Sequence, residues 1–444
     1  MELKGKRVMV LGLARTGSET ARFLVRQGAE VQVSDCRKET ELQKEKEALS
    51  GLPIRYLLGG EEKNWLDGVD LLIPSPGVPA ENPLLRKAAK REIEILSEIE
   101  LACRFLRIPL VAITGTNGKS TTTTLIGEML KAKGLKTFVG GNIGEPLIGF
   151  VDDDWEWGVV EVSSFQLEWV EKFRPRIAVL LNLTEDHLDR YPDFASYCEA
   201  KERIFHAQTD EDIAVLNRDD PLVWSIRQRI RPRVISFGWS EVREGVYATP
   251  REIIWRGENQ EERFSLSGVK IHGVHNAENL MAAVAVAKSI PVPAEIVQQV
   301  MERFPGLEHR LEFVREKNGI RFYNDSKGTN VGAVVKSLAS FSEPVILIAG
   351  GIDKGGDYGI LADEVRRKVK KLILFGAAKE KIQKALAHLT ETALMTTLEA
   401  AVQEAYQSSR PGDIVLLSPA CSSFDMFQNY AERGKVFKTL VQNL

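Results

Sequence analysis

The chain has 444 residues, too many for one ordinary core, so two or three domains are expected, each able to bury a core of its own. Lys+Arg number 59 and Asp+Glu 62, a net charge of −3 with no basic stripe, which argues against a nucleic acid as partner. The four cysteines, Cys36, Cys103, Cys198 and Cys421, lie far apart with no CxxC pair, against a disulfide framework or zinc knuckle; no apolar run reaches the roughly 18 residues of a membrane span, and "KRVMVLGL" is too short for a signal-peptide core, so a cytoplasmic chain is expected.

Residues 1–97 alternate apolar runs with helical patterns: "RVMVLGL", a helix from about Thr16 to Gln27, "AEVQVSD", "DLLIPSPGVP", a helix near 84–91, then "IEILS". This βαβ order predicts a parallel sheet in a Rossmann-like domain. Gly12 and Gly17 bracket the first strand-to-helix turn and Asp35 ends the next strand, where backbone N–H groups can meet an anion and an acid a sugar hydroxyl. Glycines that only tighten a turn account for the pattern equally well.

Residues 98–306 form a second, central α/β unit of the P-loop ATPase type, with strands in "LVAITG", "WGVVEVSS", "RIAVLLNLTEDH", "DIAVLN" and "RVISFG". Within it, 240–273 is polar and alternating, and "REIIWRGENQEERFSL" predicts a hairpin in an antiparallel appendage; a helix over 277–289 follows. Residues 307–444 open with Asn318-Gly319 between two alternating runs, a two-residue hairpin signal, and continue with "EPVILIAGG", "KKLILFG" and "DIVLLSP", a second Rossmann-like sheet. The expected class is α/β with three domains in series.

The chemistry lies in the loops. In "VAITGTNGKSTTTT", Gly115 and Gly118 enclose only Thr116 and Asn117, a gap shorter than in the common P-loop. Lys119 can place a charge on β/γ-phosphates, backbone N–H groups after Gly115 can cradle them, and Ser120 can ligate Mg²⁺, so ATP with Mg²⁺ is the expected cofactor. Glu161 lies in an apolar run, where its carboxylate needs a partner: a Mg²⁺ shared with Ser120, or a lysine or arginine. His187 follows a strand, where open sheets bind ligands, although a structural histidine fits as well. Asn276 and Asn279, about one helical turn apart, can meet a base edge; for Asn276 capping the helix is the plainer reading. Asp325, Lys327 and Thr329 cluster after a strand, and Lys354 and "SPACSSFDMF" follow later ones; a small zwitterion or anion suits this set, while Lys354 among glycines equally suits a solvated turn.

In order along all three units, "GTNGKS", "EVSSFQLE", "NLTEDHLDRY", "HNAENLMAA", "EHRLE", "NDSKGTN" and "LLSPACSSFDMF" resemble the Mur ligases, ATP-dependent amide-bond-forming enzymes of bacterial cell-wall synthesis. "LGLARTG", "SPGVP" and "NDSKGTN" are most similar to the branch that adds D-glutamate to UDP-N-acetylmuramoyl-L-alanine through an acyl phosphate and a tetrahedral intermediate. The resemblance implies that Gly115, Thr116, Asn117, Gly118, Lys119, Ser120 and Thr121 hold ATP phosphates, and that Asn276, Asn279, Arg310 and Asp325 hold adenine and ribose, with Lys327 near the phosphates. It implies a uridine-nucleotide site at Gly12, Ala14, Arg15, Thr16, Asp35, Cys36, Arg37, Ser75, Pro76 and Gly77, with Asn142 and His187 orienting the same substrate. Thr329, Lys354, Ser423, Phe424 and Tyr430 match the D-glutamate pocket. Ser120 and Glu161 would share one Mg²⁺ (Mn²⁺ a substitute), and His187 and a carbamylated Lys201 a second; by its pattern alone Lys201 reads as an exposed helical lysine. Catalysis would rest on Lys119, Glu161, His187, Lys201 and Lys327, in a monomer with no membrane segment.

Two features depart from the family pattern: Gly328 replaces a common alanine, and Tyr430 stands where phenylalanine also occurs. A different muramyl ligase or a folylpolyglutamate synthetase remains an alternative, although the latter usually follows the loop lysine with glycine. A nucleotide-dependent switch is a rival of another class.

Overall fold

The computed structural model describes residues 1–60, 64–271 and 273–444. The first sheet contains β1 (Arg7–Leu11), β2 (Glu30–Asp35), β3 (Ile54–Leu58), β4 (Leu71–Pro74) and β5 (Glu94–Ile95), all parallel in the order β3-β2-β1-β4-β5. The connections leave β1 in opposite directions, so a crevice opens above the carboxyl ends of β1 and β4. β3 was not expected from the sequence: it is an edge strand whose residues are mostly half-exposed, so its pattern lacks a buried face.

The central sheet contains β6 (Leu110–Thr114), β7 (Thr137–Gly141), β8 (Trp157–Glu161), β9 (Ile177–Leu180), β10 (Ile213–Asn217), β11 (Arg233–Gly238), β12 (Gly245–Ala248), β13 (Glu252–Arg256) and β14 (Glu261–Ser265). Their order is β14-β13-β12-β11-β10-β9-β6-β8-β7. The predicted hairpin is β13–β14, but it is no separate appendage: β12 pairs parallel with β11 and antiparallel with β13, so the hairpin extends the sheet. β6 lies between β9 and β8, a second switch point.

The third sheet contains β15 (Glu312–Lys317), β16 (Ile320–Asn324), β17 (Val345–Gly350), β18 (Val369–Phe375), β19 (Glu391–Leu394) and β20 (Ile414–Leu417), in the order β15-β16-β20-β17-β18-β19. Asn318 at φ 52° and Gly319 at φ 75° turn the β15–β16 hairpin, the left-handed pair that such a turn requires. Among the described residues no helix is long and apolar enough to cross a membrane.

The first two sheets are welded together. Phe23 and Leu24 of the helix Arg15–Arg26 share one hydrophobic cluster with Ile99, Leu101, Leu147 and Ile148. Glu100, 0% exposed, anchors the helix that follows the first sheet to the central domain: its Oε2 accepts the backbone N–H groups of Glu171, Lys172 and Phe173 at 3.0, 2.9 and 2.8 Å, and its Oε1 meets Arg104 Nε at 2.9 Å. Removing this carboxylate strands three amides, while Arg104 keeps Glu94 and Glu171. Glu100→Ala is therefore expected to destabilise the protein by about 3 kcal/mol and lower the midpoint of thermal unfolding by about 3–7 °C; an unchanged midpoint in a calorimetric scan would show the anchor to be dispensable.

Candidate active site

β6 runs into the loop 115–118 and then the helix Lys119–Ala132. Gly115 at φ 146° and Gly118 at φ 88° adopt backbone conformations that disfavour L side chains, and a Cβ on Gly118 would strike Asn279 Oδ1. The N–H groups of Thr116 and Asn117 donate to the Asn182 carbonyl and Oδ1 at 2.9 and 2.8 Å. The anion cradle expected after Gly115 is thus narrowed to the helix's first turn, whose amides have no intrahelical acceptor. The Thr116 hydroxyl donates to Thr184 O at 3.1 Å and accepts from Tyr197 at 3.1 Å, while Lys119 Nζ donates to the Gly115 and Thr116 carbonyls at 2.8 Å each. Burial pushes the Lys119 pKa down, with Arg310 and Lys354 acting in the same direction against Glu161 and Asp186.

Glu161 ends β8 and is 3% exposed. Neutral groups hold it: Ser120 Oγ donates to Oε2 at 2.5 Å and Asn142 Nδ2 to Oε1 at 2.7 Å. Arg310 Nη2, from the third domain, donates to Ser120 Oγ at 2.8 Å. A carboxylate oxygen beside a hydroxyl is a donor set that fits Mg²⁺. Among the described residues no three His, Cys, Asp or Glu side chains are grouped so as to hold a metal ion.

Lys201 overturns the reading of an exposed lysine. It is 2% exposed, donates to the Gly115 carbonyl at 2.9 Å and lies 4.8 Å from the centre of the Tyr197 ring. Burial first, then the charge on Lys119, pushes its pKa far below the ordinary lysine value. A neutral buried amine is the form that reacts with carbon dioxide, so the chemistry of this position is compatible with a carbamate.

His187 adopts φ 56° in the loop beyond β9, 4.8 Å from the Phe165 ring; burial lowers its pKa to about 4, so its imidazole is neutral and available to a metal. Its neighbour Asp186 was missed in the sequence. Asp186 accepts from Lys354 Nζ at 3.3 Å and Asn330 Nδ2 at 2.9 Å, and Lys354 reaches Thr329 Oγ1 at 3.5 Å. Burial raises the Asp186 pKa, but Lys354, His187, Asn330 and Lys119 outweigh it and hold the carboxyl below its ordinary value. Lys354 is therefore no solvated turn residue. The only sequence signal for Asp186 was its place beside His187 after a strand.

Asn117, Gly118, Thr121, Asn276, Asn279, Arg310, Asp325 and Lys327 line one cavity between the central and third domains. Buried Asn117 Nδ2 has no partner among the described residues, an orphaned donor that a ligand can satisfy. Asn276 does not cap its helix, which begins at Val274 after Gly273; it sits buried within the first turns, and its Oδ1 accepts from Asn279 at 3.3 Å. Asp325 is raised to about 6 by burial although Ser418 and Ser337 each donate to its Oδ2 at 2.7 Å. Gly328 follows from this packing: a Cβ there would stand 2.5 Å from Asp325 Oδ2 and 2.7 Å from Ser418 Oγ. Ser423 is buried, whereas Phe424 is 69% exposed.

A 570 Å³ cleft above β1 and β4 is lined by Gly12, Ala14, Arg15, Thr16 and Asp35, by Cys36, Arg37, Ser75, Pro76 and Gly77, and by Asn142 from the central domain. His187 is not part of this lining. Asp35 Oδ2 accepts from the Leu13 N–H at 2.8 Å and from Arg37 at 2.9 Å, and its Oδ1 from the Arg37 N–H and Nε at 2.9 and 3.0 Å. Burial raises its pKa, but these bonds hold it below the ordinary value, so the carboxylate shapes the loop more than it offers a free acceptor. Arg15 pairs with Glu145 across the cleft.

Family models match three consecutive stretches: a Mur ligase MurD-like N-terminal domain over residues 6–97, a Mur ligase middle domain over 113–287 and a Mur ligase glutamate ligase domain over 309–421. A protein of Trichlorobacter lovleyi named UDP-N-acetylmuramoylalanine--D-glutamate ligase is 50% identical over 447 residues, covering 100% of both chains. A protein of the same name from Geotalea daltonii is 51% identical over 451 residues, covering 100% of this chain and 99% of its own. Among solved structures, the MurF ligase of Thermotoga maritima in complex with ADP shares the fold with a TM-score of 0.62 at 17% identity, over 100% of this chain and 97% of that one. The pseudomurein peptide ligase type C of Methanothermus fervidus does so with 0.62 at 20%, over 99% and 100%. The chain belongs to the Mur ligase family.

Proposed function

We propose that this protein joins D-glutamate to UDP-N-acetylmuramoyl-L-alanine, converting ATP to ADP and phosphate, as a cytoplasmic step of peptidoglycan precursor synthesis. The observation that carries the proposal is that the carboxyl end of the central sheet is bonded to the third domain and borders the first domain's cleft. Ser120 meets Glu161 and Arg310, and Asn142 links Glu161 to the cleft of the first domain. An acyl donor, ATP and an amine bound at these ends meet without diffusing apart.

ATP lies in the cavity between the central and third domains, with its base at Asn276 and Asn279 and its phosphates at Lys119, Lys327 and the helix amides. The uridine nucleotide lies in the 570 Å³ cleft. D-glutamate has two carboxylates and an ammonium, and the set of Lys354 and Thr329, with Ser423, Phe424 and Tyr430 on the third domain and Asp186 facing them from the central one, offers both signs of charge. The substrate carboxylate oxygen attacks the γ-phosphorus as the bond to ADP breaks. The amine then adds to the acyl carbon, and the tetrahedral intermediate expels phosphate and loses a proton to give the amide. Lys119 and Lys327 offset the charge of the transferring phosphoryl group.

Mg²⁺ at Ser120 and Glu161, and a second ion at His187 and carbamylated Lys201, would supply Lewis-acid neutralisation of the phosphate oxygens. Before any ion binds, Glu161 orients Ser120 and Asn142, and Lys201 braces the Gly115 carbonyl.

Phosphate release from ATP with UDP-N-acetylmuramoyl-L-alanine present is expected to require D-glutamate and to yield the amide. Release driven instead by L-glutamate or L-lysine would overturn the acceptor, and release indifferent to any amino acid would favour a nucleotide switch. Lys201→Ala is expected to lower turnover by about two orders of magnitude. Wild-type turnover in that variant would remove Lys201 from the mechanism.

A further inference from the structure

The first turn of the last helix, Tyr430–Asn443, grips the turn that carries Lys327. Lys327 Nζ lies 3.8 Å from the centre of the Tyr430 ring, close enough for the ring face to attract the ammonium. The surrounding contacts fix the pair. The Ser326 hydroxyl donates to the Tyr430 carbonyl at 2.8 Å, and the Lys327 N–H donates to the His309 carbonyl at 3.0 Å. Arg433, 0% exposed, donates from Nε to Ser326 Oγ at 3.0 Å and from Nη2 to the Ser326 carbonyl at 2.8 Å. The His309 ring meets the Tyr430 ring edge-on at 6.2 Å. Backbone and ring are therefore held in one register, and only the flexible stem of the lysine retains freedom.

That stem needs help to stay charged and in place. Burial lowers the Lys327 pKa to about 7, and the charges of Arg310, Lys119 and Lys354 add to this against Glu161. A ring face stabilises the cation without an acidic side chain, which would otherwise compete with a polyphosphate for the lysine. The tyrosine hydroxyl is not part of this contact.

We propose that Tyr430 is a positioning residue for the phosphoryl transfer, its ring holding the Lys327 ammonium at the wall of the nucleotide cavity where the polyphosphate arrives. This goes beyond an amino-acid-pocket role for Tyr430 and rests on the reading of Lys327 as a phosphate-binding group. A role confined to the amino-acid pocket raises only the KM for D-glutamate. A role through Lys327 lowers kcat and weakens the use of ATP.

The test compares Tyr430→Leu and Tyr430→Phe in the full chain, alone and with Lys327→Met. Tyr430→Leu is expected to lower kcat about tenfold and raise the KM for ATP several-fold, and Tyr430→Phe, which keeps the ring face, to recover most of the kcat and ATP loss seen in Leu. In the Lys327→Met background, Tyr430→Leu is expected to add no further loss in kcat. A Leu variant altered only in the KM for D-glutamate, a Phe variant as impaired as Leu, or additive losses in the double variant would each overturn the proposal. A parent protein that releases no phosphate in response to D-glutamate would overturn the ligase reading itself, and this inference with it.

Discussion

Positive charge gathered in a buried space is the constraint on which the rest of the site depends. Lys119, Lys201, Lys327, Arg310 and Lys354 interact around the phosphate loop, and burial lowers the pKa of the first three. Glu161 and Asp186 are the carboxylates that oppose them most directly. A protein interior does not keep such an imbalance without cost, since each desolvated ammonium is driven toward its neutral form. A polyanion removes that cost on arrival. The same burial acts on lysines in different surroundings: Lys201 lies against the Gly115 carbonyl and the Tyr197 ring, and Lys327 against the Tyr430 ring, whose face favours the cation once a polyphosphate arrives.

The central and third domains meet through polar chains that end on this charge, one of them starting at the wall of the first domain's cleft. One chain runs from Asn142 in the first cleft's wall through Glu161 and Ser120 to Arg310. Another runs from Asn330 and Lys354 to Asp186, next to His187. Each crosses from the central to the third domain. A small movement of the third domain would therefore alter the phosphate loop and the acceptor pocket together, which is what a reaction requiring three bound substrates needs.

Much of this was legible in the sequence because parallel sheets place ligand loops at strand carboxyl ends. Glu161, His187, Asp325, Lys354 and the phosphate loop all follow apolar runs, and the structure brings them to one region. The misses have physical causes. β3, β7 and β19 are short, and β3 and β19 are exposed edges, so their residues show no clean alternation. Lys201 looked solvated because lysine usually is. Yet it falls on the same helical face as Phe194 and Tyr197, and that periodicity was the available warning. Asp186 could not be distinguished from its acidic neighbours, because the partners that select it, Asn330 and Lys354, come from another domain. The capping role for Asn276 failed by a register of a few residues, the least certain property of any helix read from sequence.

The central claim is that buried lysines stay poised below their ordinary pKa until a polyphosphate restores their charge. Calorimetric titration of the protein with ATP and Mg²⁺ at about pH 8, in buffers of differing ionisation heat, measures the protons exchanged on binding. With Lys327 near 7 in the free protein, it is largely neutral at that pH, and raising its pKa by phosphate contact must draw in protons. Net uptake is the predicted result. Binding with no exchange, or with net release, would contradict the account.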